Sequence, residues 1–203
     1  NERNTYVIKG DIAINQLLKV TGNVNLILCD GSQLQALKGI TVDQGHKFYI
    51  YGQDEISPGK LFLNTSGASG IEGNGSVDIH GGYIKAIGND QYRTSAISVS
   101  HIRIYGGTVE ASDIVEENSN VDDYIMIFGG RINCNGGDIY FTKLNCVKFF
   151  TEGGNVNFNR YNAEIVAEYI GICGGYIEAN TLQAEAIAIE GGECMANRLI
   201  SSS

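Results

Sequence analysis

Seven residues that immediately precede a glycine at matched places along this chain read Tyr51, His80, Tyr105, Phe128, Glu152, Cys173 and Glu190. The first four carry rings. Stacked one above another on an outer surface, such rings would form a ribbon able to lie against sugar rings. The tyrosine hydroxyls and His80 would then reach sugar hydroxyls. The residue that follows each glycine pair adds Tyr83, Thr108, Arg131, Asn155, Tyr176 and Glu193, expected on an adjoining face. The candidate ligand-binding set is therefore Tyr51, His80, Tyr105, Phe128, Tyr83 and Arg131. The plainer explanation is that the rings stack on one another for stability, or lie beneath a loop.

Carboxylates supply the second candidate. Asp113, Glu116, Glu117, Asp122 and Asp123 crowd one longer insertion. Clustered carboxylates suit calcium, as would be needed to bridge an acidic polysaccharide. No D-x-D-x-D-G loop accompanies them, so a solvated acidic loop is the simpler reading and no resident cofactor is expected. Catalysis on a polysaccharide would need two carboxylates facing across a groove, or a calcium cluster beside a basic residue placed to abstract a proton. Arg103 and Arg131 sit on neighbouring repeats, but no Asp–Asp pair stands beside them in sequence. His46, His80 and His101 fall in no common column. No catalytic residue is assigned, and neither G-x-S-x-G nor H-E-x-x-H occurs. The expectation leans away from an enzyme. A site assembled across repeats leaves no linear motif, so a lyase or hydrolase stays as the alternative.

The elements that must position these residues are repeats. Six stretches align on a double glycine: VDIHGGYIKA from Val77, IRIYGGTVEA from Ile102, IMIFGGRINC from Ile125, FFTEGGNVNF from Phe149, IGICGGYIEA from Ile170 and IAIEGGECMA from Ile187. Their starts are 25, 23, 24, 21 and 17 residues apart, a period that marks a solenoid. Apolar residues alternate within each copy, the period of a strand with one buried face. The inward columns are Val77, Ile102, Ile125, Phe149, Ile170, Ile187, then Ile79, Ile104, Ile127, Thr151, Ile172, Ile189, and past the glycines Ile84, Val109, Ile132, Val156, Ile177, Cys194. A column of mostly small residues follows (Ala86, Ala111, Cys134, Phe158, Ala179, Ala196). Beside it stands Ile87, Ser112, Asn135, Asn159, Asn180, Asn197. Asparagine tolerates the left-handed backbone of a sharp corner, and its amides can bond from coil to coil as a ladder. The glycine pairs supply a bend that a side chain forbids.

Earlier copies are less regular, at Phe48–Gln53 and from Leu26. Shorter strand-like pieces lie at Gly39–Val42, Leu61–Leu63, Ala96–Val99, Asp138–Phe141 and Ala163–Ala167. Ile14–Lys19 is expected as a turn or short cap. About eight coils at a strand spacing of about 4.8 Å would make a rod roughly 40 Å long. The ends of such a rod need caps, because a terminal coil exposes a sheet edge and core.

With 203 residues, 27 glycines, one proline and no tryptophan, the chain is long enough for one solenoid domain. A net charge of −9 argues against nucleic acid and against an anionic membrane surface as partners. No apolar run approaches a membrane span, so no membrane insertion is expected. None of Cys29, Cys134, Cys146, Cys173 and Cys194 forms a C-x-x-C pair, which argues against zinc. Cys134 and Cys194 fall in inward columns as small apolar residues, and Cys173 points outward. The chain begins at Asn1 rather than methionine, and is expected to be part of a longer exported protein.

Residues Val24–Gly70, VNLILCDGSQLQALKGITVDQGHKFYIYGQ and then GKLFLNTSGASGIEGNG, resemble a recurrent bacterial surface-protein module. In that group a phrase of the form LxLxDGxxLxxxxGIxVxxGxxxxIYGQ leads into GxLxxxGxxxxGIGG and repeated IxIxGGxIxA units. Here Gly70-Ile71-Glu72-Gly73 departs from the plain glycine-rich turn. The resemblance implies an all-β fold, a single right-handed parallel β-helix, on a secreted or surface-anchored protein. The same architecture serves pectate lyases, polygalacturonases, carbohydrate-binding proteins and adhesins, and fold alone does not choose among them. The expectation is one domain over 1–203, with 1–25 as N-terminal cap and 187–203 as the last coil. It would act as a non-catalytic, extracellular or cell-surface module that binds a polysaccharide or glycan. The alternatives are a pectinase-like lyase or hydrolase, and a ligand-free spacer.

Overall fold

A computed structural model describes residues 3–53, 56–64, 69–87, 97–111, 114–116, 124–127, 131–133, 143–151, 155–157, 164–174 and 176–201. Among these the chain is all-β, without helix, and every strand pairing is parallel. The pairings run in three ladders, with each coil of chain contributing one rung to each. This is the repeat-like pattern of a parallel β-solenoid.

The first ladder passes through Arg3–Ile8, Asn23–Leu28, Lys47–Gly52, Ser76–Ile79, His101–Ile104 and Tyr124–Ile127. It continues through the second halves of Lys143–Thr151 and Glu164–Ile172 to Ala186–Ile189. The second takes Asp11–Ile14, Gln33–Ala36, Lys60–Asn64, Tyr83–Ile87, Thr108–Ala111, Arg131–Asn133 and Asn155–Asn157, then the first halves of Tyr176–Ala184 and Glu193–Ser201. The third takes Leu18–Val20, Ile40–Val42, Ile71–Glu72, Ile97–Val99 and Ile114–Glu116. It ends in the remaining halves of the four long strands.

The register is the one the columns predict. Val77 pairs with Ile102, Ile102 with Ile125, Ile125 with Phe149, Phe149 with Ile170 and Ile170 with Ile187. Ile79 and Ile104 are adjacent and fully buried, and Ile127 takes the next rung. A one-residue slip would turn every such file to solvent, so the buried face itself specifies the register. The core joins all three ladders, with Ile50, Ile84 and Ile97 each fully buried.

One detail differs from the sequence reading. The copy expected from Leu26 pairs two residues earlier, Val24 opposite Phe48, because Leu28 continues the strand where later coils have their first glycine. Ile14–Lys19 holds the turn from Asp11–Ile14 to Leu18–Val20, and Arg3–Ile8, Asp11–Ile14 and Leu18–Val20 each pair with a strand of the next coil. Asp138–Phe141 lies outside the described residues.

The glycine bends stack on one another. Gly107 has φ of 84°, and a Cβ there would sit 2.5 Å from the Gly82 carbonyl oxygen of the coil before. Two constraints, a left-handed backbone and backbone-on-backbone packing, therefore coincide at one residue. Of the asparagine column, Asn197 Nδ2 donates to Asn180 Oδ1 at 3.1 Å, one step of the expected ladder. Asn135 and Asn159 lie outside the described residues. Cys29 and Cys194 are half-buried, Cys173 is exposed, and all three are free thiols. Burial pushes the Cys194 thiol up, as befits a cysteine packed against the core.

Candidate functional site

The strand Lys47–Gly52 presents Tyr49 and Tyr51 on its outer face, opposite the inward Phe48 and Ile50. One coil later His80 follows Ile79, and another coil on Tyr105 follows Ile104. Backbone hydrogen bonds carry the ladder past the strand ends: His80 N–H donates to Ile50 O, and Tyr105 N–H to Ile79 O, both at 2.7 Å. Those bonds fix the three side chains directly above one another.

Their rings form a pile. Tyr51 and His80 lie 4.7 Å apart between centroids with planes 11° apart; His80 and Tyr105 lie 4.6 Å apart at 8°. The ring spacing matches the spacing of the strands that carry them. His80 is thus sandwiched, both ring faces occupied, and each tyrosine has spent one face. What the pile offers outward is a row of edges: phenol hydroxyls above and below an imidazole. Tyr105 is 38 % exposed, His80 is exposed too, and Tyr51 is half-buried. Of the two readings of this column, the rings of Tyr51, His80 and Tyr105 adopt the plainer one and stack on one another.

Charged groups brace the pile from below. Asp78, in the outward position two residues before His80, is only 5 % exposed. Its carboxylate accepts from Arg103 Nε at 2.7 Å across one rung. The Arg3 guanidinium lies 4.6 Å from the centre of the buried Tyr49 ring, and Tyr49 stands 6.3 Å from His80. Burial lowers the His80 pKa below 6.5. Asp78 pulls it up, and Arg103 pushes it down. At neutral pH the imidazole is neutral and keeps one donor and one acceptor nitrogen.

Tyr83 belongs to the second ladder, around the glycine bend. It meets Phe62 edge-on at 6.0 Å and hydrogen-bonds to Glu110, which also pairs with Lys85 at 3.4 Å. Burial, then that hydrogen bond and the Glu110 charge, raise its pKa well above the usual tyrosine range, so Tyr83 stays protonated. Arg131 opens a strand of the same second ladder, opposite Thr108 and Asn155. Arg103 belongs to the first ladder, where Asp78 accepts from it. Glu116 ends a strand of the third ladder. Phe128, Asp113, Glu117, Asp122 and Asp123 lie outside the described residues.

Sequence reasoning missed Asp78. It stands in register with Arg103, 25 residues away, and the columns alone contained that signal. It also missed an open groove of about 590 Å³ on the third ladder, lined by Lys19, Asp43 and Glu72 among others. No group of three or more His, Cys, Asp or Glu side chains that could hold a metal ion occurs among the described residues. Nor does any helix there have the length and apolarity to cross a membrane. No protein-family model, curated protein or solved structure matches the chain.

Proposed function

We propose that the chain is a non-catalytic, exported module of a bacterial surface that binds a polysaccharide or cell-surface glycan along the edge of the Tyr51–His80–Tyr105 pile. Its scaffold in this reading is one right-handed parallel β-helix, with about eight coils following an N-terminal cap at 1–25. The observation that carries the proposal is the pile itself. It stacks phenol, imidazole and phenol rings with centroids at intervals of 4.7 and 4.6 Å on the outer face of the first ladder. Regularly spaced, pre-positioned polar edges suit a repeating polyhydroxylated chain, and holding them rigid lowers the ordering cost of binding. Right-handed winding is supported by the strong preference of parallel crossovers for that hand.

A glycan array, followed by titration of any hit, tests the proposal. Tyr105→Phe keeps the ring and removes the hydroxyl, so it should weaken binding by about two- to tenfold, one neutral hydrogen bond's worth. His80→Ala should abolish it. A screen without ligands would leave the spacer reading, and affinity unchanged in both variants would place binding away from the pile and overturn the proposal. That second reading has its own support, since ring faces spent on one another stabilise the stack whether or not anything binds.

A further inference from the structure

The groove on the third ladder is independent of the aromatic pile, which stands on the first. Its volume of about 590 Å³ lies in the range of small-molecule sites, about 300–1,000 Å³, yet its lining is polar rather than apolar. Lys19, Thr41 and Glu72 occupy one outward column on successive rungs. Asp43 lies two residues beyond Thr41, and Leu17 forms an apolar wall. Positive charge therefore stands at one end and negative charge at the middle and the other end. Two strand spacings separate Lys19 from Glu72, about 10 Å. No ion pair ties Lys19 to Glu72 or Asp43 among the described residues. Lys19 and Glu72 stand two rungs apart, and both signs line the same open volume.

A neutral sugar would leave that charge order unused, and an anion or cation alone would meet repulsion at one end. An extended zwitterion satisfies both ends. Three peptide residues span at most about 10–11 Å, which is the separation here. We propose that this groove binds a short zwitterionic peptide in extended form, its carboxylate at Lys19, its ammonium between Asp43 and Glu72, and an amide against the Thr41 hydroxyl.

Saturation-transfer NMR on the whole chain with trialanine as probe tests this, beside N-acetyl-trialanine, trialanine amide and cellotriose. Transfer to trialanine is expected, with each capped form binding about two- to fivefold more weakly, the worth of one solvent-exposed ion pair. Lys19→Glu should weaken trialanine by at least as much and no longer discriminate against the amide. Tyr105→Ala should leave trialanine binding unchanged, which separates this site from the glycan-binding edge. No transfer to trialanine, equal transfer to the capped peptides, or displacement of trialanine by cellotriose would overturn the proposal. The capping series needs no variant protein, so its outcome does not depend on whether Lys19→Glu folds.

Discussion

Position in a file, rather than residue type, should set the cost of truncating an isoleucine. Ile104 and Ile189 belong to the same inward column, separated by the rungs at Ile127, Thr151 and Ile172. Ile104 is fully buried, with Ile79 directly beneath it, whereas Ile189 on the last rung is 50 % exposed. Truncation to alanine at a buried site costs about 2–5 kcal/mol, more where the surroundings cannot collapse. At Ile104 the backbone is pinned by hydrogen-bonded rungs on both sides, so Ile104→Ala should cost about 4 kcal/mol. At Ile189 roughly half the side chain already meets water and one side of the cavity is open, so the same change should cost about 1–1.5 kcal/mol. Urea unfolding followed by circular dichroism, with tyrosine fluorescence as a second probe, measures the difference. Stacked repeats can unfold in sections, so both probes must report the same transition before free energies are compared. Equal losses at the two positions, or a loss below about 1.5 kcal/mol at Ile104, would refute the reasoning.

Two further outcomes follow from the braced pile. Arg103→Met should destabilise by about 3 kcal/mol because it strands the buried Asp78 carboxylate, and Asp78→Asn in the same chain should restore most of that loss; urea titration of both variants checks it. His80 has a folded pKa below its ordinary 6.5, so the unfolded chain takes up its proton first as pH falls. Stability from this group is full above about pH 6.5 and declines below it until the folded pKa is passed. The facing groups are Tyr49, Tyr51, Tyr105, Asp78 and Arg103. His80→Gln should therefore lose less melting temperature than wild type between pH 7.5 and 5.5, and an equal or larger loss would contradict the assignment.

The ladders were legible in the sequence where the glycine pair kept time. From Val77 onward, inward isoleucines and valines recur at fixed offsets from that pair, and the pairing register follows them residue for residue. Before it the signal weakens, since Leu28 and Cys29 stand where later coils have their glycine pair and the copy starts at Val24. The third ladder showed only as short apolar pieces such as Ile40–Val42 and Ile97–Val99, because three-residue strands carry little periodicity. Tyr51, His80 and Tyr105 were legible as a column, and a pile of stacked rings was one of its two readings; the column alone did not choose between them. A column fixes where side chains leave the backbone, while ring orientation depends on side-chain torsions set by the neighbours. Asp78 and the groove at Lys19, Asp43 and Glu72 were hidden for a related reason: each joins residues more than 20 positions apart whose meeting needs the register first.

The imidazole of His80 reports most directly on whether equivalent side chains stack coil upon coil. Two tyrosine rings at 4.6 and 4.7 Å place its carbon-bound protons in the shielding cones of both. Its proton resonances should lie well upfield of those of a free histidine, and should move back in two steps in Tyr51→Leu and then Tyr51→Leu/Tyr105→Leu. Resonances at the free-histidine position in the wild-type chain would contradict the stacked register on which both proposed sites are built.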